Sequence, residues 1–213
     1  MIKIIDINFQ GFNSAVACFL IKSENNLILI ETGPSNSYSK IKKRMLALGE
    51  DINKINHVFV THIHLDHSGG AWKFAKNGAI IYVHPKGAPH LENPEKLIAS
   101  ATIIYGNKME KLWGKVDKID SNQIYSVREN EEIKIDSYSF KALYTPGHAN
   151  HHIAWKLDNI IFFIPMSSYF FINGLIKLFI SFIGEPDCWI KVPPFLSEAP
   201  HSLTKFLEYN IFA

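Results

Sequence analysis

The chain carries Thr61-His62-Ile63-His64-Leu65-Asp66-His67 followed by Ser68-Gly69-Gly70, directly after the apolar run Val58-Phe59-Val60. No other stretch narrows the fold as much. Three imidazoles and one carboxylate within six residues are ligands suited to zinc, iron and manganese. In extended backbone, residues two apart share a side, so His62, His64 and Asp66 are expected to converge. His67 then needs a turn, which Gly69-Gly70 permits. With ten histidines in 213 residues, chance yields such a pattern in about one chain per thousand. Solvated loop histidines are therefore a poor account of it, and a metal site is the better one.

A second candidate lies downstream. Thr145-Pro146-Gly147-His148 closes an apolar run over 138–144, and a Pro-Gly turn can present a histidine rigidly. Taken on its residues alone, His148 is as readily a loop histidine as a ligand. Of His151 and His152, one is expected to point inward as a satisfied structural group. His84 and His90 follow another strand, where loops line pockets; packing competes with a substrate-facing role for both. His57, just before a buried run, reads as structural.

The length suits one domain over residues 1–213. A net charge of +2, with lysines scattered as in Lys40, Lys42 and Lys43, argues against a nucleic-acid partner. Cys18 and Cys188 stand far apart without CxxC spacing, which indicates neither a disulfide framework nor a thiolate metal site. Free thiols and the absence of a signal-peptide pattern at the N-terminus make the cytoplasm the expected location. The apolar stretch 160–183 is long enough to suggest a membrane helix. Pro165, Asn173, Gly174 and Lys177 interrupt it, and Asn-Gly is a strong hairpin signal. A β-hairpin is expected there and no membrane partner.

Periodicity predicts strands over 2–9, 15–21 and 27–30, then a helix over 38–48 stopped by Gly49. A short strand over 58–61 delivers the histidine loop, and a helix over 70–76 follows it. Another strand spans 79–83. Helical segments begin at Pro94, with Asn93 as N-cap, and resume near Met109, Leu112 and Trp113. Strands return at 133–135, 138–144, 153–157 and 160–164. Strands, helices and strands again predict two packed sheets with helices outside.

Thr-His-x-His-x-Asp-His resembles the signature of the metallo-β-lactamase-fold hydrolases. Leu29-Ile30-Glu31-Thr32-Gly33-Pro34 is similar to that family's strand-end Asp-Thr-Gly turn, with Glu for Asp, and Thr145-Pro146-Gly147-His148 resembles its third-histidine segment. The resemblance implies an α/β (α+β) four-layer αββα sandwich. It implies a first metal on His62, His64 and His148 and a second on Asp66 and His67. Glu31 would support the metal loop through hydrogen bonds, with surface or turn duty as the competing reading. The cofactor expected is Zn2+, with iron or manganese also suited to the ligands.

Residues 165–213 depart from the family pattern. Met166 stands near where the family has a bridging aspartate, and His201 is the one late histidine. The last strand and helix are expected to be missing, leaving a strong first site and a weak second one. The activity implied is metal-dependent hydrolysis of an ester or thioester of the glyoxalase II type, with metal-bound hydroxide attacking the carbonyl. Asp66 is the expected catalytic residue, a small molecule the expected substrate. The rival is a catalytically degenerate member that serves as a binding module. A homodimer through 160–178 would cover an otherwise open apolar edge.

Overall fold

The computed structural model describes residues 2–162 and the short strands Phe171–Ile172 and Leu175–Ile176. The first sheet contains β1 (Ile2–Asp6), β2 (Ala17–Lys22), β3 (Leu27–Ile30), β4 (Ile55–Phe59), β5 (Ile80–Val83) and β6 (Ile124–Ser126), in that spatial order. β1 to β3 form an antiparallel meander. β3 to β6 are parallel, as helical crossovers between them require. Those crossovers are α1 (Tyr38–Ala47), then α2 (Leu65–Ser68) with α3 (Ala71–Lys76), then α4 (Ala88–Glu92), α5 (Glu95–Tyr105) and α6 (Met109–Trp113). The second sheet is an antiparallel meander of β7 (Glu132–Ile135), β8 (Tyr138–Tyr144), β9 (Ile153–Leu157) and β10 (Ile160–Phe162).

The sequence of β3, Leu-Ile-Leu-Ile, is buried throughout because both faces are covered. Leu27 and Leu29 join Ile41, Met45, Val58 and Phe74 under the helices. Ile28 and Ile30 join Phe59, Phe140 and Trp155 between the sheets. Phe59 is the aromatic centre of that layer. Its ring lies 4.3 Å from Tyr82, 4.4 Å from Phe140 and 4.8 Å from Trp155, so Phe59→Ala would cost about 3–5 kcal/mol. At the far end of the sheets, the Asp136 carboxylate accepts from Ser23, Asn25 and Asn26. Those donors hold its pKa down to about 2.

The expected α, β and β layers are present. Among the described residues, no helix covers the outer face of the second sheet, where Glu132, Lys134 and Lys156 are exposed. No helix among them is long and apolar enough to cross a membrane.

Several boundaries differ from expectation. β4 runs over Ile55–Phe59 rather than 58–61, because beyond Phe59 the Thr61 amide donates to the Glu31 carboxylate. Asn93 does use Oδ1 to accept the Glu95 amide, yet α5 begins one residue later than expected. Pairing of Phe171 with Ile176 and Ile172 with Leu175 agrees with the hairpin expected around Asn173-Gly174. Met166, Cys188, His201 and most of the proposed 160–178 contact lie outside the described residues.

Candidate metal centre

The first sheet delivers its chemistry at one edge. β3 leads into Glu31, β4 leads into His62 and His64, and β5 leads into His84. Across the interface, β8 leads through Thr145 to His148. Two bonds tie the histidine loop to the second sheet: Ile153 N to Thr61 O at 2.7 Å, and Trp155 Nε1 to Val60 O at 3.0 Å.

His62, His64 and His148 converge, with one ligand nitrogen from each and all three within 4.8 Å of one another. His148 Nε2 lies 3.1 Å from His62 Nε2 and 3.0 Å from His64 Nδ1. Thr61 Oγ1 lies 2.9 Å from His62 Nδ1, which leaves Nε2 to face the cluster. Three ring nitrogens aimed at one another cannot all be satisfied by hydrogen bonds among themselves. Burial pushes His62 well below the ordinary imidazole range, and the neighbouring histidines add to that shift. Burial likewise lowers His64 to about 4 against the pull of Asp66, and it lowers His148. A neutral, converging imidazole set is the donor chemistry that a borderline divalent cation takes.

Asp66 and His67 behave differently. His67 Nδ1 lies 3.0 Å from Glu31 Oε2, and Nε2 stands 3.2 Å from Asp66 Oδ2 without hydrogen-bond geometry. Burial disfavours the His67 cation, but the Asp66 and Glu31 carboxylates outweigh it and raise the pKa to about 10. Burial alone would raise Asp66, yet His67 overcomes that and the net shift is downward. His67 is therefore already engaged by a carboxylate on each side. A second cation on Asp66 and His67 would have to replace the His67 proton.

Asp66 reaches this position by a route that extended spacing does not describe. His64 keeps extended backbone as the N-cap, but Leu65 begins the short helix α2. The alternation thus carries only His62 and His64; a helical turn brings in Asp66 and His67. Gly69 and Gly70 are not the turn. Both have right-handed φ, and they are small because a Cβ on Gly69 would sit 2.4 Å from Leu65 O. Gly147 has φ 159°, at the edge of extended backbone.

Glu31 supports the loop rather than facing solvent. It is 1% exposed, and its other oxygen accepts the Thr61 amide at 2.9 Å. Its φ of 64° is unusual for a non-glycine residue, a local strain of order 1–3 kcal/mol. Thr32 adds a second brace, with its amide and hydroxyl both donating to His67 O at 2.8 Å. The sequence reading assigned no role to Thr61 or Thr32, although both adjoin residues it singled out. His152 is the inward histidine, buried with Nδ1 2.7 Å from Thr145 Oγ1. His151 is half-buried beside the cluster, and His57 Nδ1 lies 3.0 Å from the Tyr82 hydroxyl. A hollow of about 660 Å³ lined by Trp72, Lys76, Glu92, Asp117 and Gln123 holds none of the site histidines.

Helices on one sheet, a second sheet packed on its other face, and a histidine cluster at the strand ends define a mixed α/β protein with a group of residues that could hold a metal ion. Residues 12–167 match the metallo-beta-lactamase superfamily, and the chain belongs to it, with that superfamily's hydrolase fold. A metallo-beta-lactamase fold-containing protein of Sulfurisphaera tokodaii is 27% identical over 176 residues, covering 78% of this chain and 61% of that protein. A hydroxyacylglutathione hydrolase of Dictyostelium discoideum is 26% identical over 141 residues, covering 66% of this chain and 41% of that protein. Among solved structures, an archaeal superfamily protein from Sulfolobus tokodaii aligns with TM-score 0.63 and 24% identity, covering 83% of this chain and 67% of its own. A subclass B3 metallo-beta-lactamase of Bradyrhizobium japonicum aligns with TM-score 0.54 and 28% identity, covering 67% and 50%. The chain thus spans about 60% or less of the length of these two sequence relatives.

Proposed function

We propose that this protein is a metal-dependent hydrolase of small-molecule esters or thioesters. The observation that carries the reading is the convergence of His62, His64 and His148, with the Asp66 carboxylate near enough to act on His64 and His148. Zinc is the metal that best suits three imidazoles with an open fourth position. When bound, such an ion polarises a carbonyl and lowers the pKa of water towards about 7.

The chain's own residues supply the rest. Thr61 holds the His62 ring with Nε2 free. Glu31 and Thr32 fix His67 and the turn around it, and fixed ligand orientation commonly affects metal affinity or activity about 10- to 100-fold. Asp66, kept ionised by His67, accepts a hydrogen bond from the attacking water and takes its proton at the carboxylate. Its position beside the three histidines makes it the assigned catalytic residue.

Ester or thioester chemistry is favoured by the Dictyostelium relative, whose name denotes hydrolysis of an acylglutathione. The testing experiment is turnover of simple esters and thioesters by zinc-loaded wild type and Asp66→Asn at equal metal content. The reading expects hydrolysis by wild type and its loss in the variant. Equal rates would overturn it.

A further inference from the structure

His84 is built as a fixed donor beside the metal loop. Its Nδ1 accepts the Lys86 amide at 3.0 Å. A backbone amide can only donate, so a neutral His84 carries its ring proton on Nε2. Among the described residues, that Nε2–H meets no acceptor within hydrogen-bond distance. The ring is 6% exposed and lies 4.1 Å from the Tyr144 ring. Tyr144 is itself fixed, with its hydroxyl donating to Val127 O at 2.6 Å and its amide to Glu129 Oε1 at 3.1 Å.

The turn after His84 is seated against the residue between two ligands. A Cβ on Gly87 would lie 2.7 Å from Ile63 Cγ2, and Ile63 separates His62 from His64. On the other side, the His151 ring is 5.9 Å from His64 and 6.2 Å from His62. Its Nδ1 is buried without a hydrogen-bond partner among the described residues. His84 and His90 are both close enough to His151 for their charges to interact, and Lys86 and Glu129 face His84. Glu129, the carboxylate of that group, already accepts the Tyr144 amide.

From the His84 Nε2–H, the adjoining His151 ring and the Lys86 side of the same turn, we infer a subsite beside the metal centre for a carboxylate carried by the substrate. This rests on the hydrolase reading above and adds the class of substrate. His84 is a positioning residue here. It performs no chemistry; it holds the anionic end so that the scissile carbonyl reaches the histidine cluster.

The test compares two thioesters that differ only at the far end, one with a carboxylate and one with the primary amide. Wild type should prefer the carboxylate in kcat/KM by about 10- to 100-fold, the size of one hydrogen bond to a charged group. In His84→Phe, which keeps a ring against Tyr144, the preference should collapse towards unity through KM, with metal content unchanged. Equal preference in wild type, or preference retained in the variant, overturns the subsite. Propionate binding to the zinc-loaded protein, followed by NMR with labelled histidine, supplies a readout without turnover. The His84 Nε2 signal should shift saturably, and His84→Phe should weaken propionate affinity about 10-fold. Unchanged affinity overturns the inference. If wild type hydrolyses neither thioester, the hydrolase reading falls and the propionate titration alone decides the subsite.

Discussion

The two halves of the histidine motif face opposite electrostatic problems. His62 and His64, joined by His148, are imidazoles whose nitrogens converge at 3.0–3.1 Å with nothing negative between them. Asp66 and His67 lie within 3.2 Å as an acid and a base, and Glu31 flanks His67 from the other side. The first group brings neutral donor nitrogens face to face. The second already holds His67 between two carboxylates. Under the proposed function, neighbouring residues in one short segment therefore differ in purpose: the triad would hold the metal, and the pair would orient water and carry the proton.

The sharpest way to break this contrast is to remove one triad ligand. His64→Ala should abolish tight metal binding and reduce hydrolysis to background, as read by elemental analysis and turnover. Retained metal would mean that Asp66 and His67 already form the stronger site. Next in size is Asp66→Asn. It should lower turnover about 100- to 1000-fold, the loss typical of one well-placed electrostatic group, while the triad keeps its metal. Loss of metal in this variant would erase the division between the two groups.

The resemblance carried most of this architecture because its motifs fall at strand ends, where ligands are placed by backbone alone. β3 was legible to the residue, since Leu27-Ile28-Leu29-Ile30 is bounded by turn residues and buried on both faces. The convergence of His62, His64 and His148 was legible too, once Thr145-Pro146-Gly147-His148 was matched to the family. What spacing could not convey was α2. Extended alternation fits His62 and His64, but the helical turn at Leu65 is set by His67 O accepting from Thr32, far away in sequence. The role of Glu31 was equally hidden. Only the folded chain brings its two oxygens to the Thr61 amide and the His67 ring, so a local reading left surface duty open.

Smaller effects sharpen the contrast further. Glu31→Gln should keep an acceptor for the Thr61 amide while removing the charge beside His67. Activity should fall about 10- to 100-fold with metal content preserved. If the metal leaves instead, Glu31 serves the triad and not the pair. Thr61→Val should do the reverse, because Thr61 Oγ1 orients His62. Metal affinity should weaken about 10-fold, measured by competition with a chromophoric chelator, and turnover at saturating metal should change little.

The contrast itself is tested most directly by counting metal. Protein purified without added metal, passed through a mild chelator and assayed by elemental analysis should hold close to one zinc-class ion per chain, because the triad offers three unopposed nitrogens and the pair offers two groups already engaged with each other. Two ions per chain that both resist the chelator would contradict the account, and with it the separate roles given to the triad and to Asp66 and His67.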